Sequence, residues 1–347
     1  MGHVDPDVEA FLDEIRGRLL GEHVATGRAE ISRRADLSLP MVTSFWHALG
    51  FPVAQTDSGA FTQADLDALR RILELLQQGG DEQLLLGMTR AVARTADRLT
   101  VWQTQLVAES LLPDDPCVDS GMDVESALEV ARQLAAAADI IEPLMTYAWR
   151  RHLYAALTRM VSDADPDGAN SGPIRLVGFA DLVNFTAYVR RATERELAVM
   201  VQRFERLASD IVTAHGGRVI KTVGDEVLFV NRDPVAGTAT ALDLVDTMAE
   251  EEVLPQVRVG LAYGPVLSRL GDVFGTTVTR ASRLTAVAGE GRVLADEPLS
   301  TRLAVQSGFT LHPGRRRQLR GIGLVTPREV RRSQGERREP SPVRQLL

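Results

Sequence analysis

The sequence predicts two domains, an all-α domain followed by an α+β domain, and three observations lead to this expectation. The chain has 347 residues, more than one hydrophobic core usually supports. Apolar residues recur at helical spacing before residue 162, whereas short apolar strands alternate with amphipathic helices after residue 173. The segment 162–173 is polar and rich in Gly, Pro and Asp, which is typical of a linker. We therefore expect domains at 1–161 and 174–332.

The first domain is predicted to be helical throughout. Thr62 is a candidate N-cap, because its hydroxyl can accept from a backbone N–H of the following turn, and Gly79-Gly80 is a candidate helix stop. The predicted helices are Val8–Leu20, Thr62 to about Gln78, Glu82–Ser110 and Val124–Val161.

The block at 30–70 has a helix, a turn, a second helix ending in ALGFP, a short wing, and the segment FTQADLDALRRI. This order resembles the helix-turn-helix of MerR-type regulators. The second predicted helix, Pro40–Leu49, carries Thr43, Ser44 and His47 but no arginine or lysine that could reach bases or phosphates. We therefore expect a packing module and no nucleic-acid partner.

The second domain is predicted to alternate strands and helices, followed by a disordered tail at 333–347 that is rich in Arg, Glu and Pro. A hairpin-like end is expected near Val293 and Val325–Val330. The other predicted elements are strands at Ile174–Phe179, Gly217–Thr222, Val227–Val230 and Val257–Ala262, and helices at Ala192–His215, Pro234–Glu250 and Val278–Ala288.

Composition excludes several classes of protein. The single cysteine, Cys117, excludes an intramolecular disulfide and a cysteine-built metal site. The most apolar helical stretch, Leu134–Leu157, is interrupted by charged residues, which argues against a membrane span. The N-terminus lacks the basic region followed by an apolar run that is typical of a signal peptide. We therefore expect a cytoplasmic protein with no integral membrane segment. Acidic residues dominate the first half, whereas the second half is mildly basic and better suited to a small polyanion.

Two aspartates are candidate metal ligands. Asp181, in GFADLVNFT, ends a buried strand and precedes a helix whose free N–H groups favour phosphate. Asp225, in KTVGDEVLF, lies in a tight turn between two strands. Two carboxylates at neighbouring strand ends are typical of two-metal phosphoryl transfer. A helix cap at Asp181 and an ordinary hairpin turn at Asp225 are the structural alternatives.

A third segment, GDVFGTTVTRASRLT, begins at Gly271 and places Thr279 and Arg283 on one face of a helix. Together, the three segments resemble the class III nucleotidyl cyclases, whose motifs occur in this order and at these separations. The resemblance covers roughly Ile174 to Val330. It implies a ferredoxin-like catalytic domain and the conversion of ATP to 3′,5′-cyclic AMP and pyrophosphate.

The resemblance also implies roles for particular residues. Asp181, Asp225 and the carbonyl of Leu182 would hold Mg²⁺ or Mn²⁺, two ions per site. Arg283 would stabilise charge on the transferring phosphate. Arg320 stands where the family has a lysine for the triphosphate, and an arginine keeps that charge.

Base specificity is expected to depend on Lys221 and Asp272. In the family, lysine donates to an adenine acceptor and the carboxylate accepts from the exocyclic amine. Guanylyl cyclases place Glu and a small residue such as Cys at these positions, so the pair predicts ATP. Lys221 is the only lysine in the chain.

Thr279 is the one departure from the family's motifs. The family has an asparagine here that orients the ribose, and a threonine hydroxyl is shorter than an amide. We expect slower turnover with nucleotide binding less affected. The loop between Gly264 and Asp272 is also short, which is similar to the subgroup with an abbreviated hairpin arm.

In this family, each active site is shared between two catalytic domains, so a homodimer is implied. The layout resembles mycobacterial-type cyclases whose helical domain inhibits catalysis, responds to pH and binds fatty acid; the apolar run Ile140–Leu157 could line such a pocket or form ordinary bundle core. His152 is a candidate pH switch. The alternatives are a weakly active or dead cyclase domain that senses nucleotide, a guanylate cyclase, and a transcription factor based on the 30–70 block.

Overall fold

The computed structural model describes residues 5–51, 60–111, 122–164 and 172–333. The chain divides into two compact units, Met1–Thr158 and Arg159–Leu347. The proposed linker at 162–173 falls mostly on 165–171, and the proposed disordered tail on 334–347; both segments lie outside the described residues.

The first unit is helical, as predicted. A short antiparallel pair, β1 (His23–Thr26) with β2 (Ala60–Thr62), accompanies the helices. The helices are α1 (Pro6–Leu20), α2 (Arg28–Ala35), α3 (Leu39–Ala48), α4 (Gln63–Gln77), α5 (Glu82–Leu111) and α6 (Val124–Ser162).

The core of this unit lies in the 30–70 block. Ile31, Val42, Phe45 and Leu69 are among the buried residues that hold α2, α3 and α4 together. Thr62 caps α4, accepting from the N–H of Asp65, whose carboxylate accepts in return from the N–H of Thr62.

The long helices α5 and α6 leave many large apolar side chains exposed. Ile140 is 75% exposed and Leu144 is 61% exposed, and Tyr154 and Leu157 are exposed as well. These exposures do not favour the lipid pocket predicted from Ile140–Leu157, which stays a prediction. Within the described residues, no helix is long and apolar enough to cross a membrane.

The second unit is built on a seven-stranded sheet in the order β10-β13-β9-β6-β3-β5-β4. All its pairings are antiparallel except β6 with β9. The strands of this sheet are β3 (Ile174–Leu182), β4 (Arg218–Val223), β5 (Glu226–Asn231), β6 (Val257–Pro265), β9 (Val293–Ala295), β10 (Phe309–Pro313) and β13 (Arg328–Arg332).

Helices and two small hairpins complete this unit. The helices are α7 (Phe185–Val189), α8 (Glu194–Ala214), α9 (Pro234–Glu250), α10 (Thr276–Val287) and α11 (Glu297–Leu303). One hairpin joins β7 (Leu267–Arg269) to β8 (Asp272–Phe274), and the other joins β11 (Arg317–Leu319) to β12 (Gly323–Val325).

The chain order β3-α8-β4-β5-α9-β6 with sheet order β6-β3-β5-β4 is the ferredoxin-like arrangement that was expected. Helices α8, α9 and α11 cover one face of the sheet, around Phe204, Phe229 and Leu261. Helix α10 packs on the other face, beside Phe179, Leu228 and Ala262. Part of that second face stays open, and the candidate site lies there.

Two predicted boundaries differ from the structure. Strand β3 extends to Leu182, because its ladder with β5 and β6 continues through Asp181. The element expected at Val325–Val330 is two strands, β12 and β13, with Pro327 between them. Proline has no N–H for a ladder hydrogen bond, so the strand is interrupted there.

Candidate active site

Asp181 and Asp225 lie at the same end of two neighbouring strands. Asp181 is the penultimate residue of β3, and Asp225 lies in the turn between β4 and β5. Gly224 permits that turn because its φ is +60°. The N–H of Leu182 donates to the carbonyl of Asp225 at 3.0 Å, which fixes the turn against the end of β3. The two predicted metal ligands are therefore brought together.

A row of side chains crosses the open face at this level of the sheet. Asp181 pairs in register with Glu226 of β5 and with Arg258 of β6, and Glu226 pairs with Val223 of β4. Directly opposite residues share a face of a sheet, so Glu226, Asp181 and Arg258 are neighbours.

The negative charges of Asp181, Asp225 and Glu226 lie close enough together to repel one another. Burial, and then repulsion from Asp181, raises the pKa of Asp225. Burial, followed by repulsion from Asp181 and Asp225, likewise raises the pKa of Glu226. A cation placed between these carboxylates would relieve the repulsion. Within the described ranges, no group of three or more His, Cys, Asp or Glu side chains is arranged to hold a metal ion.

Arg258 was not predicted from the sequence. Its Nε and Nη2 lie 2.7 Å and 2.6 Å from the same oxygen of Asp181, and the Asp181 side chain is only 14% exposed. A guanidinium therefore compensates the aspartate in this structure. An arginine between the buried residues Val257 and Val259 of a central strand was the sequence signal that could have identified it.

Lys221 and Asp272 are joined directly although they are far apart in sequence. The Lys221 Nζ donates to Asp272 Oδ2 at 2.6 Å, across β4 and β8, and both side chains are partly exposed. The hydrogen bond from Lys221 lowers the pKa of Asp272, which is therefore a carboxylate at neutral pH. The pair presents one donor and one acceptor to solvent.

The remaining predicted residues lie on other elements. Thr279 and Arg283 are exposed on α10, and Arg320 is exposed in the turn between β11 and β12. The Thr279 hydroxyl donates to the carbonyl of Gly275 at 3.3 Å. Among the described residues, Arg283 and Arg320 form no ion pair, and both remain available to an anion. Leu182 is buried, and its carbonyl oxygen is the one atom of this residue that could serve as a metal ligand.

Comparison with known proteins defines the class. Residues 173–329 match the family described as the adenylate and guanylate cyclase catalytic domain. The chain is 34% identical to an adenylate cyclase of Glutamicibacter nicotianae, over 96% of this chain and 85% of the relative. The chain therefore belongs to the class III cyclase family.

The chain is also similar to two further proteins. The chain is 28% identical to a pH-sensitive adenylate cyclase of Mycobacterium tuberculosis, over 87% of this chain and 77% of the relative. A crystal structure of the adenylyl cyclase CyaB from P. aeruginosa is 19% identical and covers 47% of this chain and 96% of its own, with a TM-score of 0.42.

Proposed function

We propose that the chain is an adenylate cyclase that converts ATP to 3′,5′-cyclic AMP and pyrophosphate. A bond forms between the ribose 3′-oxygen and the α-phosphorus, and the bond from the α-phosphorus to the pyrophosphate oxygen breaks. The 3′-hydroxyl proton leaves to solvent. The Lys221–Asp272 ion pair is the observation that carries the choice of ATP, in a chain that belongs to the cyclase family.

The Lys221–Asp272 pair is complementary to the edge of adenine. Lys221 would donate to a ring nitrogen, and Asp272 would accept from the exocyclic amine. Guanine would present a ring N–H donor to Lys221 and a carbonyl acceptor to Asp272. A donor would then face a donor, and an acceptor would face an acceptor. A buried polar group without a partner costs much of the binding energy, which is how such a site rejects the wrong base.

Asp181, Asp225 and the Leu182 carbonyl would hold Mg²⁺ or Mn²⁺, two ions per site. Oxygen ligands suit both metals, and the raised pKa of Asp225 fits a site whose charge a cation would balance. When bound, the metals would ease deprotonation of the 3′-hydroxyl and neutralise charge on the phosphates.

Arg258 would change partners when substrate binds. Its guanidinium compensates Asp181 in this structure. Arg258 lies on the same face, and it could contact a phosphate oxygen when Asp181 serves as a metal ligand. Arg283 and Arg320 would add positive charge at the α-phosphate and the triphosphate, where negative charge develops and leaves.

Each site would be shared by two chains in a homodimer. One chain would supply Asp181 and Asp225, and the other would supply Lys221, Asp272 and Arg283. The arm formed by β7 and β8 fits an interface, because Leu270 at its tip is 94% exposed and Leu267 and Phe274 are also exposed.

A second candidate is a nucleotide-binding domain with little turnover. The observation that favours it is Thr279, whose hydroxyl bonds to Gly275 within its own helix. Both candidates share the metal and purine positions, and they differ in the rate of the chemical step.

Replacing the metal aspartates tests the proposal. Asp181→Asn and Asp225→Asn each keep the shape of the side chain but remove its charge, so cyclic AMP formation with Mn²⁺ and ATP should fall about 10²-fold or more. Glu251→Gln is the matched control, because Glu251 pairs with Arg203 at 2.8 Å on α8, away from the open face. Wild-type turnover in Asp181→Asn would contradict the proposal.

A further inference from the structure

Helix α10 carries Thr279 and Arg283, and its contact with the sheet is unusually close. A Cβ atom on Gly260 of β6 would lie 2.2 Å from the Thr285 nitrogen and 2.4 Å from the Ala281 carbonyl oxygen. The helix backbone therefore rests directly on the strand. Because the residues at this crossing are small, few large side chains interlock there. Side-chain packing alone therefore does little to prevent the helix from sliding along its axis or rotating about it.

Polar links fix α10 instead. The Thr277 hydroxyl donates to the Pro265 carbonyl at 2.8 Å, and the Thr285 hydroxyl donates to carbonyls of Ala281 and Phe179. The charged link is Arg280, whose Nε lies 3.0 Å from Asp296 and whose Nη2 donates to the Tyr263 carbonyl at 3.4 Å. Arg280 thus ties the helix to both β6 and the start of α11.

Asp296 is itself held firmly. It is 7% exposed and caps α11 by accepting from the N–H of Leu299 at 3.0 Å. It also accepts from the N–H of Tyr263 at 3.3 Å. Arg280 therefore attaches α10 to a carboxylate that two other elements already position. The Arg280 Nε is buried without a hydrogen bond among the described residues, so the Asp296 charge is what compensates it there.

Asp296 also has a perturbed pKa. Burial raises the pKa of Asp296 to about 6, although Leu299, Arg280 and Tyr263 act in the opposite direction. A cavity of about 670 Å³ lies beside the pair, so water can reach it. The other charged groups that face this cavity are Glu297 of α11, Arg316 and Arg328, and Arg302 lies 4.6 Å from the ring of Tyr263.

We propose that Arg280 and Asp296 are positioning residues for the cyclisation step. They hold α10 so that Arg283, which lies three residues beyond Arg280 and is exposed, meets the transferring phosphate. The inference rests on the proposed function of Arg283. Neither residue touches the substrate, so their loss should lower kcat and leave the KM for ATP nearly unchanged.

The test uses the full chain with Mn²⁺ and ATP, and measures kcat and KM from pH 5 to 9. Asp296→Asn and Arg280→Gln should each lower kcat at least tenfold at pH 8, with KM within twofold of wild type. The double variant should be no worse than either single variant, because the two residues act as one unit. Wild-type kcat should fall as Asp296 is protonated near pH 6, and Asp296→Asn should lack that limb.

Controls separate positioning from folding and from the proposed function. Glu251→Gln breaks a comparable arginine–carboxylate pair and should keep wild-type kcat, and circular dichroism should show every variant folded. Arg280→Lys, which keeps the charge, should recover part of kcat. Variants with kcat within twofold of an active wild type, or additive losses in the double variant, would overturn the positioning role. An inactive wild type would overturn the proposed function instead.

Discussion

The Thr279 hydroxyl donates a hydrogen bond to the carbonyl of Gly275, one turn earlier in the chain. An asparagine amide at this exposed position would be longer and could reach outward from α10 to a ribose. Thr279→Asn should therefore raise kcat for cyclic AMP synthesis by about tenfold, with little change in KM, because orientation of the 3′-hydroxyl acts on the transition state. Thr279→Ser keeps the hydroxyl and serves as the control. An unchanged kcat in Thr279→Asn would show that this residue does not limit turnover.

Lys221 and Asp272 allow a test of base selection. In the double variant Lys221→Glu with Asp272→Cys, the new glutamate can accept from the ring N–H of guanine. The carboxylate that would accept from the exocyclic amine of adenine is removed. The ratio of kcat/KM for ATP to that for GTP should fall about 10²-fold, measured with Mn²⁺ and each nucleotide in turn. Lys221→Gln alone keeps a donor and should retain the preference for ATP. A double variant that still prefers ATP as strongly as wild type would refute the assigned roles.

Some residues of the candidate site were predicted from the sequence, and others were not. Asp181, Asp225, Lys221 and Asp272 could be singled out because their motifs stand in a fixed order, and the structure joins Lys221 to Asp272. Arg258 and Arg280 were missed, because their partners Asp181 and Asp296 lie on other elements. Only the tertiary arrangement reveals these ion pairs, because each joins residues on different elements that are distant in sequence.

Secondary-structure elements were predicted well where local chemistry fixes them. Helix α9 begins and ends where expected, and the capping box of Thr62 and Asp65 defines the start of α4. The strand predicted at Ile174–Phe179 was three residues too short, since β3 continues to Leu182. Here Arg258 compensates Asp181 from the next strand, and the ladder continues.

Helix α10 shows why packing details could not be predicted. The sequence predicts which residues of α10 share a face. It does not predict the close backbone contact with Gly260, because that contact depends on which strand α10 packs against. The ferredoxin-like topology was implied by the family resemblance, and the strand order β6-β3-β5-β4 confirms it. Periodicity alone would have left an α/β sheet open.

We propose that the helical unit regulates the catalytic unit. Removing residues 1–161 should change basal cyclic AMP formation and alter the dependence of kcat on pH between 5 and 9. The His152→Gln variant of the full chain tests that predicted switch by the same profile. Identical profiles for the full and shortened chains would contradict regulation by this unit.

The two active sites of the proposed homodimer depend on both chains, and mixing two inactive variants tests this. Asp181→Ala lacks a metal ligand, and Arg283→Ala lacks the arginine that the other chain would supply. Mixed in equal amounts, about half of the dimers would be mixed, and each would have one intact site. Cyclic AMP synthesis should recover to about a quarter of the wild-type rate. No recovery, with mixed dimers verified by differential tagging, would contradict a shared cyclase site.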